Sequence, residues 1–161
     1  MAAVAGGLLW PGVAQAQDDA LVSGGIGYFD FDDDDDAVDF RLEYRAGRRF
    51  FGFVKPWLGA EATSEGALFG VGGIHADFEL GDHFVLTPSF GAGLYREGGG
   101  KDLGNTVQFR SQLEFGYQWD SGHRLSAAIS HISNASLGDD NPGTEIISVY
   151  YHVPVRLLFG R

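Results

Sequence analysis

Val38-Asp39-Phe40-Arg41-Leu42-Glu43-Tyr44-Arg45-Ala46 decides the fold. Val38, Phe40, Leu42, Tyr44 and Ala46 fall on one side of a period of two, and Asp39, Arg41, Glu43 and Arg45 on the other. Successive side chains of a strand point to opposite faces, so this is a strand with one apolar and one fully charged face. The stretch 107–119 repeats the pattern. Val107, Phe109, Leu113, Phe115, Tyr117 and Trp119 share a face, broken by Ser111. Gln108, Arg110, Gln112, Glu114 and Gln118 share the other, broken by Gly116. Such alternation is long against the usual strand of about five or six residues. Noisier copies lie at 21–31, 53–62, 67–79, 83–95, 122–134 and 144–158, and together the segments predict eight strands.

The connections predict which way the sheet faces. Arg48-Arg49, Leu80-Gly81-Asp82 and Asp120-Ser121-Gly122 read as tight turns. Asp32–Asp36, Thr63–Gly66, Arg96–Gly104 and Ala135–Gly143 read as mostly longer, polar loops. Alternation of short and long connections is the mark of a transmembrane barrel. A soluble eight-stranded barrel has an apolar interior and a polar exterior. Here the polar face holds both signs of charge, among them Lys55, Glu61, His75, Asp77 and Arg156, which can pair in a narrow lumen. The apolar face carries aromatic residues toward the strand ends, as an interfacial girdle does. The expected fold is therefore all-β, an eight-stranded antiparallel transmembrane β-barrel. Its lumen is just wide enough for packed side chains, which disfavours a diffusion pore.

Residues 2–16 are apolar, too short to span a bilayer as a helix, and end in Ala14-Gln15-Ala16, a small-x-small cleavage signal. They predict a signal peptide over 1–16 and a barrel domain over 17–161. The customary basic start of such a peptide is missing, so the true start codon is left open. No later stretch reaches the roughly 18 apolar residues of a membrane helix. The chain has no cysteine, so disulfides and thiolate metal sites are excluded. Its net charge of −11 argues against nucleic acid as a partner. The Asp32–Asp36 run reads as a solvated loop, since it lacks the spaced ligands and turn glycine of a calcium loop. The other histidines, His75, His83, His123 and His152, lack metal-ligand spacing and read as strand or turn residues.

Chemistry gathers at Ser130-His131-Ile132-Ser133-Asn134-Ala135 and Asn141-Pro142-Gly143-Thr144-Glu145. By alternation His131 and Ser133 share the apolar face of the seventh strand with Leu125, Ala127 and Ile129. Glu145 shares that of the eighth with Ile147, Val149 and Tyr151. Polar groups on a lipid-facing wall are expensive and are functional candidates. The i,i+2 spacing sets the two Cβ atoms about 7 Å apart, within reach of imidazole and hydroxyl. Serine needs a base to take its proton, histidine suits that task near neutral pH, and a carboxylate can orient the imidazole.

The pattern H-x-S-N-A followed by NPG-x-E resembles that of the outer-membrane lipid A 3-O-deacylases. The resemblance implies Ser133 as nucleophile, His131 as base and Glu145 as orienting acid. It also implies Asn134 at the oxyanion hole, helped by backbone N–H groups around Asn134 and Ala135, with Asn141 and Gly143 shaping the loop. It implies hydrolysis of the 3-position acyl ester of lipid A in the bacterial outer membrane. No cofactor or metal is implied. The partners would be lipid A or lipopolysaccharide and surrounding outer-membrane lipids, with a homodimer left open. The alternatives are a non-catalytic outer-membrane barrel, or a barrel phospholipase or acyltransferase.

Overall fold

The computed structural model describes residues 19–31, 37–50 and 52–160. The expected signal peptide and the Asp32–Asp36 run lie outside the described residues. The strands are β1 (Leu21–Phe29), β2 (Ala37–Arg45), β3 (Lys55–Thr63), β4 (Leu68–His75), β5 (Phe78–Leu80), β6 (Phe84–Arg96), β7 (Val107–Gln118), β8 (Arg124–Ser133) and β9 (Thr144–Pro154), followed by a helical turn α1 (Val155–Phe159). Every neighbouring pair is antiparallel, and β9 returns to pair with β1. Pairing of β4 with β6 closes the cylinder. β4 and β5 both lie on β6, interrupted at Ala76-Asp77. They are two halves of the single strand expected over 67–79, so the barrel has eight staves.

The barrel is inside-out relative to a soluble protein. Along β2, Asp39, Arg41, Glu43 and Arg45 are buried while Phe40 and Leu42 are 53% and 62% exposed. Exposed apolar side chains of this kind continue around every long stave, which only a lipid solvent accommodates. Aromatic contacts gather at one end of the wall, where Phe84 stacks on Phe115 and Tyr117 meets Trp119 edge-on. Rings there suit the membrane interface.

The lumen is filled by a charge network. Arg110 lies over the Trp57 ring and pairs with Glu43 and Glu61. Arg45 bridges Glu43 at 2.9 Å and Glu114 at 2.7 Å. Arg41 pairs with Asp39 and donates to Tyr150 Oη at 2.8 Å and Ser130 Oγ at 3.1 Å. Each buried charge thus has an opposite partner, the condition under which ions tolerate burial. Room for the Tyr150 ring comes from Gly25, where a Cβ would stand 2.8 Å from it. Toward the loop end the filling turns apolar, with Phe29, Phe69, Tyr95, Leu103, Ile132 and Ile146 in one cluster.

Several sequence expectations need correction. β9 stops at Pro154 rather than 158, because its partner β1 begins at Leu21, opposite Pro154. Residues 155–158 form the helical turn instead, closed by Gly160 in the left-handed region at φ 63°. Arg156 therefore leaves the lumen face and pairs with Asp19 at 2.6 Å. Arg48-Arg49 is no tight turn: the chain runs from 46 to 54 with a Phe50–Val54 bridge. At the other end, 64–67 is short and closed by Gly66 N donating to Thr63 O at 3.0 Å. The long-short asymmetry therefore holds only in part. The inward charges and outward apolar residues carry the membrane reading.

Candidate active site

The β8–β9 register decides which side chains meet. His131 stands directly opposite Glu145, on the outward face of both strands. His131 Nδ1 donates to Glu145 Oε1 at 2.8 Å. The imidazole is 47% and the carboxylate 36% exposed, on a wall otherwise formed by Leu125, Ile129, Ile147 and Val149. With Nδ1 committed to the carboxylate, Nε2 is the nitrogen left to act as a base. Ser133 follows two residues on along the same face and is half-buried. Among the described residues its hydroxyl makes no hydrogen bond. Histidine and carboxylate are thus assembled, and the serine stands beside them without being engaged. Catalytic hydrogen bonds often tighten only when substrate arrives.

The turn after Ser133 is unusual. Leu137 N donates to Asn134 O at 3.0 Å, and the two central residues, Ala135 and Ser136, sit at φ 52° and 63°. Two positive φ values define a type I′ turn, a role usually taken by Asn and Gly. A non-glycine residue there costs of order 1–3 kcal/mol. Among the described residues the N–H groups of Ala135 and Ser136 donate to no acceptor.

Asn134 faces the opposite way from Ser133. Its side chain is wholly buried, and Nδ2 donates to Leu103 O at 2.9 Å and Asp140 O at 2.7 Å. Its own N–H donates to Asn141 Oδ1 at 2.9 Å. Both donors of Asn134 are therefore occupied with holding the loop. Gly143 packs directly on the histidine. It sits at φ 67°, and a Cβ there would stand 3.0 Å from His131 Cε1. Glycine is required by the backbone and by the ring together.

A second tie comes from β1. Asp30, wholly buried at φ 58°, accepts from Thr144 Oγ1 at 2.8 Å and from Lys101 Nζ at 2.7 Å. Phe31 N donates to Glu145 O at 3.3 Å. The end of β1 and the 97–106 loop thus hold the backbone that carries Glu145. Sequence reasoning missed Asp30 and Lys101, since nothing local pairs residues so far apart.

The lumen contains another Ser–His–Glu cluster that sequence reasoning also missed. Ser23 Oγ and Ser126 Oγ lie 2.7 Å from His152 Nδ1 and Nε2, and Glu114 Oε1 lies 3.1 Å from Nε2. His152 is wholly buried and the others nearly so, so no lipid reaches them. Among the described residues no group of His, Asp and Glu could hold a metal ion.

An apolar groove of about 460 Å³ runs along the outer wall from His131 and Glu145, lined by Pro88, Ser111, Leu113 and Ile129. Ser111 is its low point, directly opposite His131 in the β7–β8 ladder. The sequence showed Ser111 only as a break in the apolar face of β7. The structure makes it a gap between Phe109 and Leu113.

Fold and site together define a membrane-spanning barrel with a His–Glu pair and an adjacent serine on its lipid-facing wall near the loop end. The model of the family described as "Lipid A 3-O-deacylase (PagL)" matches residues 40–154, and the chain belongs to that family. The "Lipid A deacylase PagL" of Bordetella bronchiseptica (strain ATCC BAA-588 / NCTC 13252 / RB50) is 27% identical over 73 residues, covering 44% of this chain and 41% of that protein. The chain thus matches less than half the length of that relative. The crystal structure of the outer membrane enzyme PagL superposes with a TM-score of 0.65 at 19% identity, over 83% of this chain and 99% of that one. Neisserial surface protein A gives 0.58 at 10% identity, over 84% and 95%. At these identities the structural matches establish the barrel fold.

Proposed function

We propose that this chain is a serine esterase of the outer membrane that hydrolyses the 3-position acyl ester of lipid A. The single observation that carries the reading is the His131–Glu145 pair at 2.8 Å beside Ser133, facing lipid. A nucleophile on the lipid-facing wall acts on a lipid, and an ester-bearing glycolipid is the substrate class of the family.

In this reading Ser133 Oγ attacks the ester carbonyl while its proton passes to His131 Nε2. Glu145 holds the imidazole by Nδ1 and stabilises the imidazolium that forms. The tetrahedral oxyanion takes its hydrogen bonds from the free N–H groups of Ala135 and Ser136, which the strained turn presents next to Ser133. Asn134 acts indirectly, by clamping that turn to Leu103 and Asp140. Collapse breaks the bond to the sugar oxygen, which takes the proton from His131. Water then attacks the acyl-serine, His131 again serving as base, and releases a hydroxy fatty acid. The groove past Ser111 receives the chain being cut.

The test is to express the chain and Ser133→Ala in a bacterium making full-length lipid A and to weigh the lipid A from each. Loss of one 3-hydroxyacyl group with the parent chain alone is the expected result. Loss with both removes Ser133 from its role. Unchanged mass with a folded barrel points to another lipid ester or to a non-catalytic barrel.

A further inference from the structure

A second furrow crosses the outer wall on the far side of an aromatic ridge from the first. The ridge is the stacked pair Phe90 and Phe109, with ring centroids 6.0 Å apart. Beyond it the wall of β3, β4 and β6 is floored by small residues, Ala60 and Gly70, between Leu68 and Leu94. A Cβ on Gly70 would meet nothing within 4 Å, so the floor lies open to the outside. The volume is about 490 Å³, and the lining reaches Arg96 and Thr106 at the loop end.

The charge at that mouth is distinctive. Among the described residues the loop end carries two cations, Lys101 and Arg96. Lys101 is bound to buried Asp30. Arg96 is exposed and makes no ion pair among the described residues. Exposed acids stand on the loops of the same end, including Glu65, Asp139 and Asp140. Glu97 and Asp102 share the depression above Arg96. A phosphate approaching this rim meets repulsion except at Arg96, and a guanidinium matches phosphate geometry.

Register links the furrow to the catalytic wall. Gly72, Ala92, Phe109 and Ser133 stand side by side on successive staves. Arg96 is on β6 and Ser133 on β8, two strand spacings or about 10 Å across the wall. Arg96 also lies four residues, about 13 Å, further along the strand than Ala92, so the two positions are roughly 16 Å apart. An extended arginine side chain covers roughly 6 Å of that distance, and a phosphorylated disaccharide headgroup spans the remainder. We propose that this furrow holds a second acyl chain of the lipid whose ester lies at Ser133, with Arg96 pairing to a phosphate on the same headgroup. The Phe90–Phe109 ridge separates the two chains. This assignment rests on the lipid A reading above, because it takes one phosphorylated, multiply acylated lipid to bridge both grooves.

The experiment uses full-length Ser133→Ala protein, which cannot turn the lipid over, in nanodiscs of phosphatidylcholine. Lipid A and the same lipid A after phosphatase treatment are titrated in, and binding is read by native mass spectrometry. Adding Arg96→Gln weakens binding of the phosphorylated lipid by about three- to tenfold, as for a partly exposed charge-assisted pair, and leaves the dephosphorylated lipid unchanged. Adding Gly70→Leu, which fills the furrow without backbone strain, weakens both lipids. Equal effects of Arg96→Gln on both lipids, or no effect of Gly70→Leu on either, overturn the proposal. The parent protein, and Arg96→Gln and Gly70→Leu with Ser133 intact, are assayed for cleavage of the same lipids. Phosphate-dependent binding without cleavage would overturn the deacylase reading and keep the furrow, whereas cleavage indifferent to both substitutions would do the reverse.

Discussion

Replacing Gly143 by alanine tests how tightly the loop aims His131, the proposed base. The substitution places a methyl at φ 67°, costing about 1 kcal/mol relative to glycine. The methyl also stands 3.0 Å from His131 Cε1, closer than ordinary van der Waals contact. The ring must yield by a few tenths of an ångström, and it is held to Glu145 by one 2.8 Å hydrogen bond. A misplacement of about 1 Å costs about 100-fold in rate. Scaled in free energy, a few tenths corresponds to about three- to tenfold in kcat, with KM little changed. Gly81→Ala is the control, because Gly81 has φ 74° in a turn at the opposite end with open space around it. It carries the same backbone strain and no contact with the site. The assay is release of hydroxy fatty acid by purified protein at saturating lipid, with urea unfolding of both variants alongside. Unchanged kcat in Gly143→Ala, or an equal loss in Gly81→Ala, refutes the positioning argument.

Two further substitutions separate structure from chemistry. Ser126→Ala removes a serine hydrogen-bonded to a histidine and a glutamate in the lumen. It is expected to leave kcat intact while lowering stability by about 1–3 kcal/mol in urea unfolding, the cost of unsatisfied buried partners. Arg110→Met leaves Glu43 and Glu61 facing each other without the guanidinium between them. Loss of one partner from a buried ionic cluster costs about 3–5 kcal/mol, read as a lower urea midpoint, and Arg110→Met with Glu61→Gln recovers part of it.

The staves were legible because a strand writes its two faces into alternate residues, as in Val38–Ala46. The direction of the barrel was legible for a further reason. Arg41, Glu43, Arg45 and Arg110 can be buried only if they meet one another, and a narrow lumen is where they do. The ends of the elements were less legible. Nothing local in 155–158 says that β1 has run out of partners opposite Pro154. Likewise, nothing in Ala76-Asp77 says that the stave is interrupted there. Those features are set by register between distant segments, which no short window contains.

The site divides in the same way. His131, Ser133 and Glu145 could be grouped from the sequence because all three break an apolar face at one end of two adjacent strands. What holds them could not. Asp30 reaches Thr144 from the other end of the chain, and Lys101 and Leu103 come from the loop between β6 and β7. Asn134, which the family pattern associates with the oxyanion hole, turns inward to bind two carbonyls. Among the described residues the neighbouring N–H groups of Ala135 and Ser136 are left without an acceptor instead. The charged lumen makes this arrangement possible. It ties the staves together from inside, so that a strained turn and an exposed His–Glu pair can be held at the edge of a wall whose outside is lipid. The proposed site on the outer surface and the ionic packing within are thus two results of one inverted pattern.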